Sequence, residues 1–234
     1  MRYCMINIKQ RSLYNKLKNK VMINLQKQID FLNKNINSQL PQEIILAFAD
    51  SIADLKNGGL ENSAIKKGAS ISPFNLLSTN QQYISSNILF QYYDQIILAF
   101  FRGNWCPYCS LELKALQDAL IKIETKKVKL LAISPQRIEY SNAFANDNQI
   151  TFDILYDQNN TLAKNLGIAF KLQDNIIPYY QKLNIDLETY NGNDSNILPI
   201  PAIFVISKKH EITYSFVDAN YMNRVNIGEL IQNL

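Results

Sequence analysis

An apolar run, Ile96-Ile97-Leu98-Ala99-Phe100-Phe101, passes through Arg102 and Gly103 and within three residues reaches Cys106-Pro107-Tyr108-Cys109. Six consecutive apolar residues suit a strand buried on both faces and fall far short of the roughly 18 that a membrane-spanning helix needs. Beyond the cysteines, Leu111, Ala115, Leu116 and Leu120 recur at helical spacing and predict a helix from about Pro107 to Thr125. Pro107 suits the first helical position, where its missing N–H would have no partner anyway. A buried strand turning through a glycine into a helix is the building unit of an open α/β sheet, so this junction narrows the fold more than any other stretch.

The junction also carries chemistry. Unpaired N–H groups and the positive end of the helix dipole favour a thiolate in the first helical turn. A free cysteine of pKa near 8.5 is only about 3% thiolate at neutral pH, whereas one lowered to about 6 is roughly 90% thiolate. The two-residue spacing lets the pair close into a small disulfide, which makes oxidation reversible. Zinc would need two further ligands, and outside the pair the chain offers only Cys4 and the lone His210 as soft candidates. An inert buried pair is the other alternative, but inert cysteines seldom stand at such a junction. Redox catalysis is the reading that uses the whole context.

The remainder of the 234 residues fits one sizeable core with an appendage. Leu13, Leu17, Val21, Leu25, Ile29, Leu32 and Ile36 predict a long amphipathic helix. A second helix, starting near Pro41 and carrying Ile44, Phe48, Ile52 and Leu55 inward, ends at Asn57-Gly58-Gly59. After a polar connection the pattern alternates. Strands are predicted at 75–77, 82–84, 95–101, 128–134 and 152–156, with helices at 107–125, 140–147 and 159–167. An antiparallel hairpin over 203–207 and 211–217 turns at Lys208-Lys209-His210, and a helix over 225–234 follows. The division is an N-terminal helical extension, residues 1–65, and an α/β domain, residues 66–234.

Charge is unevenly placed. Eight basic residues of the first forty (Arg2, Lys9, Arg11, Lys16, Lys18, Lys20, Lys27 and Lys34) stand against Asp30 alone, a net of +7 within a total of +4. The body is therefore about −3, and the basic arm reads as a solvated lysine face rather than a nucleic-acid or lipid surface, having no aromatic-interleaved arginine patch. Met1–Gln10 lacks the apolar core of a secretory signal, and three cysteines are too few for a stapled secreted scaffold. The expectation is a soluble protein of a reducing compartment, the cytoplasm.

The stretch from Phe101 to Gln117 resembles the active-site segment of the peroxiredoxin-like branch of the alkyl hydroperoxide reductase/thiol-specific antioxidant family. Further similarities follow in order: Ile133-Ser134-Pro135-Gln136, Phe152 to Asp157, Asn191-Gly192-Asn193-Asp194, Leu198 to Ala202, and Phe216 to Tyr221. The similarity covers roughly residue 20 to the C-terminus, the N-terminal helical hairpin included. The resemblance implies a thioredoxin-like fold, a central mixed sheet flanked by helices, with the helical hairpin as an extension. It implies reduction of hydrogen peroxide or alkyl hydroperoxides, with electrons returned by thioredoxin or a similar dithiol, and no bound cofactor. For the arm of residues 1–40 three arrangements stay open: packing on the body, mediating a homodimer, or remaining loose.

The family's Pro-x-x-x-Thr-x-x-Cys pattern, laid on this chain, puts its cysteine on Cys109, its threonine on Cys106 and its proline on Arg102. Cys109 would then attack the O–O bond and Cys106 would resolve the sulfenic acid, or stand in for the threonine hydroxyl. In thioredoxin-like disulfide reductases the first cysteine attacks, which gives Cys106 that role; a disulfide oxidoreductase and a redox sensor without turnover therefore stay open as readings. The sequence departs from the family where an arginine beside the thiolate is usual: that position is Pro201. Arg102 is the candidate to supply the missing charge. Ile200-Pro201 resembles the cis-proline junction of the superfamily and is expected to be cis and to face the thiols. Trp105 is expected to shield them, to dock a partner, or to pack in the core. Cys4 reads as a bystander, His210 as exposed, and Glu112 and Asp118 as solvated helix positions; Tyr221 and Arg224 match the resemblance without a physical role.

Overall fold

A computed structural model describes residues 25–234. Cys4, the basic residues up to Lys20 and the apolar positions Leu13, Leu17 and Val21 lie outside the described residues. The described chain opens with α1 (Leu25–Gln39), α2 (Gln42–Asn57) and the single turn α3 (Leu60–Ser63). It continues through β1 (Asn75–Ser78), β2 (Tyr83–Ser85), the short α4 (Ser86–Leu89), β3 (Gln95–Phe100), α5 (Pro107–Glu124), β4 (Val128–Ser134), α6 (Ile138–Asn148) and β5 (Asp153–Tyr156). A 3-10 turn (Gln158–Asn160) leads into α7 (Thr161–Asn165), β6 (Ala169–Lys171), α8 (Ile177–Lys182), α9 (Leu187–Asn191) and β7 (Ile197–Pro199). The last elements are β8 (Ala202–Ser207), β9 (Ile212–Val217) and α10 (Ile227–Gln232).

Seven strands form one mixed sheet in the order β2-β1-β5-β4-β3-β8-β9. β3 runs parallel to β4 and antiparallel to β8, so it lies inside the sheet and its apolar run is buried on both faces. Alternation along β3 divides the core: Ile97 and Ala99 join the cluster beneath α5, while Ile96, Leu98 and Phe100 join the one beneath α7. This is the mixed α/β architecture that the strand–glycine–helix junction calls for, and the thioredoxin-like fold that the family resemblance implies. Within the described residues the predicted strands and helices appear, with boundaries shifted by at most three residues, except that the helix expected over 159–167 is a 3-10 turn followed by α7.

α2 ends as its glycines dictate. Gly58 stays right-handed, and Gly59, at φ 69°, supplies the left-handed residue that lets the chain leave the helix. α1 and α2 follow one another but take different supports. α1 lies on α5, with Leu25 and Ile29 in the core shared with Leu113 and Leu116, whereas α2 packs on α3. Each such buried side chain contributes roughly 1.5–3 kcal/mol relative to exposure.

Four features differ from the sequence-based expectations. The segment 169–199 has its own two-stranded sheet, β6 with β7, and the short helices α8 and α9, all too short and irregular to show a period. His210 is half-buried: the backbone of residues 68–71 folds over the β8–β9 turn, and the ring meets Ser86 Oγ at 3.2 Å and Phe90 edge-on. Among the described residues no peptide bond is cis. Ile200 donates its N–H to the Ile168 carbonyl at 2.7 Å, and the chain enters β8 extended, a path that the ordinary trans bond before Pro201 serves. Finally, Glu112 is buried rather than solvated, because its position on α5 faces the body between Cys109 and Leu116.

Candidate active site

The site grows from the junction of β3 and α5. Cys106 is the residue before the first helical turn, Pro107 takes the first helical position, and Cys109 lies one turn inside. The loop between strand and helix is tied at both sides: Cys106 N–H donates to the Gly103 carbonyl at 3.1 Å, and Asn104 N–H to the buried Gln136 side chain at 2.8 Å. Gly103 is required there, because a Cβ would collide with the Trp105 indole folded over it. Trp105 is half-buried and meets Tyr180 of α8 edge-on at 5.6 Å.

Both thiols are free and fully buried, and the Cys109 S–H donates to Cys106 Sγ at 2.8 Å. Two guanidinium groups serve the two sulfurs. Arg102, only 5% exposed, donates through Nη2 to Cys106 Sγ at 3.2 Å and through Nη1 to the Tyr180 hydroxyl at 3.1 Å. Its Cζ lies over the Tyr221 ring, 3.9 Å from the ring centre, which holds the fork in place. Arg224, from the loop after β9, reaches Cys109 Sγ at 3.4 Å and forms a buried ion pair with Glu112 at 2.7 Å.

The electrostatics divide the pair. Burial pushes the Cys106 thiol up, but the donated Cys109 S–H and the charges of Arg102 and Arg224 outweigh it and hold Cys106 well below the ordinary cysteine value. Cys109 is pushed well above it by burial, by the loss of its proton donation to Cys106 if it ionised, and by the negative charge already on Cys106. The surroundings of the pair therefore favour ionisation of Cys106 over that of Cys109. Tyr108, whose hydroxyl donates to Asn33 Oδ1 of α1 at 2.6 Å, is pushed up to about 12 by burial and stays neutral.

A cavity of about 410 Å³ opens in front of Cys106. Arg102, Trp105, Cys106 and Pro107 stand on its wall, together with Tyr180, Tyr221 and residues of α1 and α2; neither Cys109 nor Pro201 belongs to that lining. Of the residues singled out in the sequence, Cys106, Cys109, Arg102 and Trp105 come together, and Pro201 is buried beside β8 without a place on the wall. Tyr180, Arg224 and Glu112 are the additions. Glu112 left a trace in the sequence, standing three residues from Cys109 on the apolar face of the helix. Tyr180 left none, since no period marks its segment.

A family model described as the AhpC/TSA family matches residues 68–215, well over half of the chain. No curated protein matches the chain in sequence. Among solved structures, the chain is similar to peroxidoxin BcpB from Mycobacterium tuberculosis, with 15% identity and a TM-score of 0.58, covering 72% of this chain and 96% of that one. It is similar to a cysteine-to-serine mutant of peroxiredoxin 6 of Arenicola marina, with 16% identity, a TM-score of 0.57, and 71% and 70% of the two chains covered. A cysteine-to-serine mutant of PrxQ of Xylella fastidiosa aligns with 15% identity and a TM-score of 0.55 over 72% of this chain and 94% of that one.

Proposed function

Because the chain belongs to the AhpC/TSA family, we propose that it is a thiol-dependent peroxidase in which, in the reverse of the order that the family pattern implies for Cys109 and Cys106, Cys106 attacks the peroxide and Cys109 resolves it. The observation that carries this reading is the buried Cys106 sulfur, which accepts from Cys109 and Arg102 at 2.8 and 3.2 Å on the wall of the cavity. A thiolate so held is a nucleophile, and its full burial favours a small peroxide over the disulfide of a folded protein.

In the proposed cycle the Cys106 thiolate attacks one peroxide oxygen and the O–O bond breaks. The sulfur gives two electrons and becomes a sulfenic acid, and the departing alkoxide or hydroxide takes a proton from water. Arg102 donates to the sulfur and the transferred oxygen as charge develops there. Cys109 then attacks the sulfenic sulfur, forming the Cys106–Cys109 disulfide and releasing water; Arg224 beside Cys109 favours its ionisation in that step. Thioredoxin or a similar dithiol reduces the disulfide, and the working compartment in this reading is the cytoplasm, which keeps such pairs reduced. The arginine absent at Pro201 is no obstacle in this scheme, because Arg102 and Arg224 supply guanidinium charge from two other elements.

The test pairs single substitutions with sulfenic acid trapping after one equivalent of peroxide. Cys109→Ser is expected to accumulate the sulfenic acid on Cys106, and Cys106→Ser to form none; the reverse pattern would sink the assignment. Steady-state turnover with thioredoxin, its reductase and NADPH completes it. Reduction of insulin disulfides without peroxide turnover would make the protein a disulfide oxidoreductase, and oxidation without turnover of either would make it a sensor.

A further inference from the structure

We propose that the Tyr180 hydroxyl is the general acid of the peroxide step: it gives its proton to the oxygen that leaves when the O–O bond breaks. This inference rests on the peroxidase reading and adds a catalytic residue to it.

The donors and acceptors around Arg102 lead there. A guanidinium has donors only, so in the 3.1 Å contact between Arg102 Nη1 and the Tyr180 hydroxyl the oxygen accepts and keeps its own proton to give. Among the described residues that proton has no acceptor. The other prong of the same fork, Nη2, holds the Cys106 sulfur at 3.2 Å. One planar group therefore carries the reacting sulfur on one nitrogen and an uncommitted O–H on the other. Tyr180 and Cys106 also share the wall of the cavity. A peroxide lying along the fork meets the sulfur with one oxygen and the hydroxyl with the other.

The other proton donors nearby are committed or turned away. Tyr108 donates to Asn33 at 2.6 Å. Tyr221 offers Arg102 the face of its ring rather than its hydroxyl. Glu112 is tied to Arg224 and Val225, and the Cys109 S–H is directed at Cys106.

Tyr180 is also held and tuned for the task. Its ring meets Trp105 edge-on and Phe48 of α2 at a tilt, each at 5.6 Å between centroids, and only 4% of the residue is exposed. Burial pushes its pKa up against the opposing charge of Arg102, so the phenol holds its proton at neutral pH. Once the proton has gone, that same charge steadies the phenolate. Hydroxide and alkoxides are far stronger bases than a phenolate, so the transfer runs downhill.

The step balances. The Cys106 thiolate gives an electron pair to one peroxide oxygen, and the O–O bond breaks. The other oxygen leaves with the bonding pair and takes the Tyr180 proton, forming water or an alcohol. Cys106 ends as the sulfenic acid, and the phenolate regains a proton from water, which remains the ultimate source.

The experiment compares two oxidants on the full chain. Hydrogen peroxide expels hydroxide and needs the proton, whereas peracetic acid expels acetate, a weak base that needs none. Stopped-flow oxidation is followed through Trp105, the single tryptophan of the chain and a residue of the cavity wall, with sulfenic acid trapping beside it. In Tyr180→Phe the rate constant for hydrogen peroxide should fall about a hundredfold and that for peracetic acid less than about threefold, so their ratio falls at least about thirtyfold. A mere loosening of Arg102 would slow both oxidants alike and leave the ratio unchanged. The unaltered protein supplies a second readout: a larger solvent deuterium isotope effect with hydrogen peroxide than with peracetic acid. An unchanged ratio, or equal isotope effects, overturns the role of Tyr180 and leaves the peroxidase reading standing. Failure of the unaltered protein to react with either oxidant overturns the peroxidase reading itself.

Discussion

Arg224 and Glu112 form an ion pair at 2.7 Å, with both side chains almost wholly buried and 112 residues apart in the chain. The second Glu112 oxygen accepts from Val225 N–H, and Arg224 Nε donates to the Tyr221 carbonyl, so every nitrogen of the guanidinium and both carboxylate oxygens have a partner. The pair fastens the loop after β9 to the helix that bears the cysteines and holds a guanidinium 3.4 Å from Cys109.

Removing one member should therefore cost more than removing both. Glu112→Gln is nearly isosteric but leaves Arg224 charged in the interior, and it should lower stability by about 3 kcal/mol or more in urea unfolding. Replacing both residues by leucine should recover most of that loss while slowing disulfide closure at Cys109. A loss below about 1 kcal/mol in Glu112→Gln would show that the charge on Glu112 is not needed.

Arg102 should control the ionisation of Cys106. The folded-state value lies below that of the unfolded chain, so this thiolate contributes stability fully above about pH 8.5 and loses it as pH falls through the folded-state value. Reaction with peroxide should decline over that same fall. In Arg102→Gln, thiolate absorbance should titrate at least about one unit higher, a loss of roughly 1.4 kcal/mol or tenfold in thiolate affinity. Arg102→Lys should fail to restore it, because an ammonium cannot bond Tyr180 and Cys106 as a planar fork. An unchanged titration in both variants would remove Arg102 from the site.

Gly103→Ala should displace the Trp105 indole and destabilise the chain by about 1–3 kcal/mol, read in thermal unfolding and in tryptophan emission. Adding Trp105→Leu should relieve the collision. If alanine is as costly with leucine at 105 as with tryptophan, the collision is not the reason for the glycine.

Ile29 anchors α1 to the core beneath α5 at 1% exposure. Ile29→Ala should cost about 2–5 kcal/mol through the lost burial and the void left behind. It should also loosen the α1 wall of the cavity, seen as faster amide exchange over residues 30–40 than over α5. Equal protection in both helices would show that α1 is held mainly by other contacts.

The residues themselves determined a good deal. The apolar run of β3, the glycine and the helical spacing after Pro107 are local patterns, and local patterns are what a sequence displays. They were enough for the α/β sheet and the cysteine pair at a helix start, while the candidacy of Arg102 came from the family resemblance. The tertiary structure decided what depends on distance in space rather than along the chain. It brought Arg224 to Cys109 and Tyr180 to Arg102, neither of which any spacing could announce. It turned Glu112 inward, because whether a helix face is solvated depends on what covers it. It kept Pro201 off the cavity wall, and it opened the cavity by seating α1 on α5 and α2 on α3. Above all it gave the two cysteines different surroundings: their spacing is symmetric on paper, but the donors, guanidiniums and open space around them are not, and these pull Cys106 below and push Cys109 above the ordinary cysteine value.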